Sequence, residues 1–156
     1  MNGLNNNGDL AGFSSDAATP TLFTNFIRNT DGTFAVPAIG GDPLAMANGI
    51  NTSRTVIGME SNSTAFILPS GGPPLALPPS TAPSETAFGI NDSGKILGQF
   101  TDGLTDTTHG FFLNGGVFTI LNPIVIATVT HAQGMNNNGL ATGFYSVEGV
   151  HQHGFL

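Results

Sequence analysis

The sequence predicts an all-β protein, a β-propeller-like array of about four blades of short antiparallel strands whose first and last blades are incomplete. Three observations predict it. An eleven-residue phrase occurs four times, opening at Gly3-Leu4-Asn5, Gly49-Ile50-Asn51, Gly89-Ile90-Asn91 and Gly134-Met135-Asn136. A second glycine follows in each copy, at Gly12, Gly58, Gly98 and Gly143. Such a recurrence marks a tandem array of one supersecondary unit. Each copy also breaks into short apolar runs separated by turns rich in Asn, Ser and Gly. Helical periodicity fails throughout, with Gly or Pro interrupting nearly every stretch of helical length.

The third copy shows the unit most clearly. Thr86 to Asn91 reads as a strand, and Asn91-Asp92-Ser93-Gly94 as a tight turn whose glycine supplies a positive φ. Lys95 to Phe100 is a second strand, in which Gly98 is expected to let a neighbouring sheet approach closely. After the polar loop Thr101 to Thr108, His109 to Leu113 makes a third strand. Asn114-Gly115-Gly116 turns the chain into a fourth, Val117 to Leu121.

The other copies follow the same frame. In the first, Asp9 to Ser14, Leu22 to Arg28 and Thr33 to Val36 take the second to fourth places. In the second they are Thr55 to Met59, Thr64 to Leu68 and Leu75 to Leu77. In the fourth, Leu140 to Val147 and Gln152 to Leu156 are the second and third strands, and no fourth follows. One repeat domain over 1–156 results, with units at about 1–43, 44–83, 84–128 and 129–156. Two segments depart from the pattern. Pro69 to Pro83 reads as a surface excursion, and the apolar Pro123 to Thr130 as an extra strand or a buried connector. Solenoid coils are shorter, about 20 to 30 residues, so blades are the better description.

Composition narrows the function. Charged residues are 8% of the 156, against about 25% in an average soluble domain. Arg28, Arg54 and Lys95 are the whole cationic complement, and the net charge is −7. Nucleic acid is excluded on this basis, because phosphate binding needs clustered Lys and Arg. An anionic membrane surface is disfavoured for the same reason. No apolar run is long enough to span a bilayer, so no membrane insertion is expected. The absence of cysteine removes disulfides, thiol catalysis and thiolate metal sites. No signal peptide is visible at Met1-Asn2-Gly3.

Spelled out as Gly-Ile-Asn-x-x-Gly-x-Ile-x-Gly-x-Phe followed by His-Gly-Phe, the repeat resembles the bacterial extracellular HAF-type repeat. Gly89 to Phe100 with His109-Gly110-Phe111 carries the resemblance, as does Gly134 to Tyr145 with His153-Gly154-Phe155. The second copy departs from it, with Arg54 at the turn glycine and Thr64-Ala65-Phe66 for the triplet. The first has Thr24-Asn25-Phe26 there. The resemblance implies a secreted or surface-associated bacterial protein with propeller-like architecture, and it carries over no catalytic residue.

The candidate sites are weighed against the scaffold. Asn5-Asn6-Asn7-Gly8-Asp9, Asn91-Asp92-Ser93-Gly94 and Asn136-Asn137-Asn138-Gly139 superficially resemble calcium loops. Calcium requires several carboxylates among six to eight oxygens, and these loops supply one, one and none. Turn chemistry is the better reading, with Asn5, Asn51, Asn91 and Asn136 bonding to backbone between strands. His151 and His153 form a weak zinc or nickel pair on one strand face. The His-Gly-Phe triplet is a repeat position, however, so a structural role is favoured. No Gly-x-Ser-x-Gly elbow and no paired carboxylates in an apolar setting are present. No enzyme activity and no cofactor are therefore expected.

The function these features predict is a non-enzymatic scaffold or assembly module, extracellular or at the cell surface. Its incomplete end units expose strand edges, which recruit partner strands and give a homo-oligomer or fibre. The alternative is a lectin-like module whose repeated pockets engage glycans through avidity.

Overall fold

The structure is a computed structural model and describes residues 2–77, 82, 84–147 and 151–156. Among these residues the chain is all-β, with fifteen strands and no helix. The first unit comprises β1 (Gly3–Leu4), β2 (Leu10–Ser15), β3 (Phe23–Arg28) and β4 (Phe34–Ala35). The second comprises β5 (Met46–Ile50), β6 (Val56–Met59), β7 (Ala65–Leu68) and β8 (Leu75–Ala76). Each is a four-stranded antiparallel meander in chain order. The first unit, expected to be clipped, has four strands, with its leading strand cut to two residues.

The third unit comprises β9 (Ser84–Ile90), β10 (Ile96–Thr101), β11 (Thr108–Asn114) and β12 (Val117–Leu121). The fourth comprises β13 (Val129–Met135), β14 (Ala141–Val147) and β15 (His151–Phe155). These two units do not form separate sheets. A single parallel bridge, Thr108 to Val129, joins β11 to β13 and merges them into one seven-stranded, curled half-barrel sheet. Pro123 to Thr130 is neither an extra strand nor a buried connector. Val125 and Ile126 are exposed, and only Val129 and Thr130 enter a strand, as the start of β13. Of Pro69 to Pro83, residues 78–81 and 83 lie outside the described residues.

The first hairpin of every unit closes in the same way. The Oδ1 of the phrase asparagine accepts the N–H four residues later, from Asp9, Thr55, Lys95 and Leu140, at 2.9 to 3.0 Å. A left-handed residue completes the turn: Gly8, Gly94 and Gly139, but Arg54 with φ 60° in the second unit. A side chain in that region costs about 1–2 kcal/mol. Arg54 recovers part of this by donating to Asn29 Oδ1. Arg54→Gly is therefore expected to raise stability by about 0.5–1 kcal/mol, read as an upward shift in thermal unfolding.

Consecutive units pack against one another through three apolar clusters. Ala11, Ile27 and Ile39 of the first pack on Ala45, Ala47, Val56 and Phe66 of the second. Ile57, Ala65 and Leu77 of the second meet Ala87, Ile96, Phe111 and Leu113 of the third. Leu97 of the third, with Phe112 and Leu121, meets Ala132, Ala141 and Met135 of the fourth. Alternation along the strands sends neighbouring residues such as Val56 and Ile57 to opposite partners. Among the described residues no such cluster joins the fourth unit to the first.

Candidate functional site

The second glycine of the phrase faces the phenylalanine that ends the later triplet. The cross-strand pairs are Gly12–Phe26, Gly58–Phe66, Gly98–Phe111 and Gly143–Phe155. A Cβ on Gly58, Gly98 or Gly143 would run into the carbonyl oxygen of Met46, Thr86 or His131, and into the facing phenyl ring. The group that approaches Gly98 is thus the first strand of its own unit together with Phe111, and not a neighbouring sheet.

The leading glycines are the ones that meet the next unit. A Cβ on Gly3 would lie 2.7 Å from the Cα of Gly49, and one on Gly49 would lie 3.4 Å from the carbonyl oxygen of Phe88. The approach loosens along the array. A Cβ on Gly89 would have only ordinary contact with Met135, at 3.6 Å, and one on Gly134 would meet Thr142 Oγ1 at 3.4 Å.

A ladder of asparagine side chains links the four turns. The Nδ2 groups of Asn5, Asn51 and Asn91 donate to the carbonyls of Asn51, Asn91 and Asn137, at 2.9, 3.3 and 3.4 Å. Asn136 bonds within its own turn. Asp92 ties the turns together: Oδ1 accepts from the Thr52 N–H at 2.9 Å, and Oδ2 from Asn137 Nδ2 at 2.7 Å and Asn6 Nδ2 at 3.2 Å. These bonds, the one from Thr52 first, hold its carboxyl below the usual carboxylate range. Its oxygens are thus engaged by neighbouring donors, and Asn5 Oδ1 is likewise occupied by the N–H groups of Asn7 and Asp9. The turns are joined by amide chemistry. Among the described residues no three His, Asp or Glu gather as a metal set.

The leading strands of all four units line one cavity of about 180 Å³. The residue before each leading glycine stands at its wall: Asn2, Asn48, Phe88 and Gln133. In the last three units this residue is a β-bulge, skipped by the ladder between Ala47 and Gly49, Ala87 and Gly89, and Ala132 and Gly134. A bulge re-aims one side chain while leaving the strand in place. Asn2 Nδ2 donates to Asn48 Oδ1 at 3.2 Å, and Asn48 Nδ2 to the Ala87 carbonyl at 3.1 Å. This wall of amides and one aromatic ring can hydrogen-bond and stack, and it carries no acid, base or nucleophile. Sequence reasoning passed over these four because the residue type changes from unit to unit. Their fixed place before a repeated glycine was the available signal.

The histidines divide between stacking and bonding. His109 lies opposite Phe100, and His153 opposite Tyr145, with ring centroids 5.4 and 5.3 Å apart. His109 also bonds Thr107 at 2.8 Å. His151 is exposed two residues from His153 on β15. His131 bonds Gln99 of the third unit at 2.7 Å, and burial holds its pKa below the usual value.

Among the described residues Glu85 is the one strongly perturbed acid. It is 3% exposed, both carboxylate oxygens are buried without a partner, and burial pushes its pKa up to about 7. It occupies the position held by Ala45 in the second unit and Thr130 in the fourth, both buried. Glu85 lines neither the cavity of the leading strands nor the gap between the third and fourth units. It is thus a buried acid with unpartnered oxygens. Aligning the units against their leading glycines exposes it as a charge at a buried place.

Comparisons of the chain with protein family models, with curated proteins and with solved structures find no match.

Proposed function

We propose that this chain is a non-enzymatic scaffold, a propeller-like array of four blades that self-associates through its end units. The observation that carries this reading is the run of three inter-unit clusters with no fourth among the described residues. Positions buried in the middle units, Val56 and Phe66 or Ile96 and Phe111, correspond in the first to Leu10 and Phe26, which are only half-buried. Beside them Phe34 is 66% exposed. A first-unit face of one copy set against a fourth-unit face of another is a heterologous contact, which yields a ring or a fibre. The propeller-like arrangement is supported by the shared cavity of the four leading strands and by the Asn6–Asp92 bond between first and third turns. Resemblance to the HAF-type repeat supports an extracellular or cell-surface setting.

Light scattering across a hundredfold concentration range is expected to show mass rising above that of one 16.0 kDa chain. A constant monomer mass would overturn the reading. A second reading, lectin-like glycan binding, draws on the amides and aromatic ring of the cavity of the leading strands. The same experiment separates the two, because glycan binding needs no self-association.

A further inference from the structure

The seam between the first and second units holds a cavity of about 320 Å³. Its walls are apolar, with Ile27, Val36 and Pro37 from the first unit and Val56, Leu68 and Pro69 from the second. Ile27, Val56 and Leu68 also belong to the cluster that joins these two units, so the cavity opens directly on the core. Its size falls at the small end of the range for ligand sites, about 300–1,000 Å³.

One charge enters this apolar wall. Arg54, half-buried, is the single ionisable residue in the lining. Its guanidinium donates to Asn29 Oδ1, an uncharged acceptor that leaves most of its five N–H donors free to bond elsewhere. No acidic side chain lines the cavity to balance it. Ser70 adds a hydroxyl beside it.

The second seam shows that the repeat demands neither the cavity nor the cation. Leu77 takes there the place of Pro37, two residues beyond the partner of Ile67 as Pro37 is beyond the partner of Ile27. It is buried in one cluster with Ile96 and Leu113, the counterparts of Val56 and Leu68, and fills the space that the shorter proline leaves open. The counterpart of Arg54 is Gly94, which closes its turn with the same asparagine bond and no side chain. Arg54 thus stands against the local backbone preference, with φ 60°, beside a seam that is open. Strained residues of this kind gather at ligand clamps.

We propose that this cavity binds a small monocarboxylate with an apolar body. The carboxylate pairs with the Arg54 guanidinium, whose planar fork matches it. The body covers Ile27, Val56 and Leu68. An uncharged molecule leaves the cation unmatched, and a carboxylate without a body leaves the apolar wall in water, so selectivity needs both halves. The site is independent of self-association and of glycan binding, since it lies inside the first seam and shares no lining residue with the cavity of the leading strands.

The test titrates sodium octanoate, below its micelle range, into the folded chain by calorimetry and by methyl NMR. Octanamide is the control without charge, and acetate the control without a body. Saturable octanoate binding is expected, with the methyl resonances of Ile27, Val56 and Leu68 shifting. Octanamide and acetate are each expected to bind at least about tenfold more weakly. Arg54→Gly, which is expected to be more stable than the parent, should bind octanoate at least about tenfold more weakly and octanamide equally well. Absence of saturation, octanamide or acetate matching octanoate, equal octanoate binding by parent and variant, or methyl shifts confined to residues outside the cavity would overturn the proposal. The comparison of the three probes is made on the parent, so it holds whatever the substitution does to folding.

Discussion

Replacing Gly98 with alanine is expected to remove about 3–5 kcal/mol of stability, the upper range for a single substitution. The added Cβ would meet the Thr86 carbonyl oxygen, which belongs to the adjacent strand, and Phe111 Cζ at 2.5 Å. Neither can retreat easily. The carbonyl is fixed by the ladder pairing β9 to β10, and Phe111 is 1% exposed in the cluster between the second and third units. Relief would require opening the strand pair or expelling the ring from the core. Gly58→Ala and Gly143→Ala are expected to behave alike, because Met46 and His131 present the same carbonyl and Phe66 and Phe155 the same ring. For a chain of this size the loss corresponds to roughly 10 °C in the thermal midpoint. Gly72→Ala is the control, since its Cβ would meet only Pro69 at 3.5 Å and beyond. A Gly98→Ala midpoint within 2 °C of the parent, about the shift from half a kcal/mol, would show that the strand pair yields freely and that the repeated glycine has another cause.

How much of this was legible in the sequence follows from which signals repeat. The phrase asparagine and the turn residue three places on, glycine in three units and Arg54 in the second, are close in sequence, so the repeated phrase located the first hairpin of every unit. The cross-strand partner of Gly98, Phe111, is likewise a repeated residue of the sequence. Without the register, though, the glycine read as a seat for a neighbouring sheet, when its own strand pair occupies that space. The merger of the last two units was not legible. It rests on the single bridge from Thr108 to Val129, a matter of where backbones run, to which no side-chain pattern attaches. Exposure misled at Val125 and Ile126, whose apolar character suggested burial on a segment that turns outward. Of the cavity residues Asn2, Asn48, Phe88 and Gln133, three are amides, but Phe88 and the change from Asn to Gln break the identity from unit to unit, so they did not stand out as a repeated position.

Stability is expected to fall as pH rises from about 4.5 to about 7, and Glu85 is the reason. Its N–H donates to the Ser63 carbonyl at 2.7 Å, which places the residue at the seam between the second and third units. Its buried oxygens have no partner, and its carboxyl is raised from 4.5 to about 7. None of the strands β5, β6, β7 and β10 packed beside β9 carries an ionisable side chain. β13 carries only His131, whose ring is bonded to Gln99. The fold therefore holds the proton more tightly than the unfolded chain does. The contribution of the protonated acid is fully present below pH 4.5 and is lost as pH rises through about 7. A shift of this size corresponds to about 3 kcal/mol over the full titration. His131 works in the opposite direction, because burial favours its neutral ring and its contribution is lost as pH falls below about 6.5. Comparing the parent with Glu85→Thr, the residue found at Thr130, isolates the acid, since His131 is common to both. In urea denaturation, the stability of the variant relative to the parent is expected to grow by about 2–3 kcal/mol between pH 4.5 and pH 8. A difference that stays constant across that interval would mean that Glu85 titrates as it does in water and that the seam does not confine its charge.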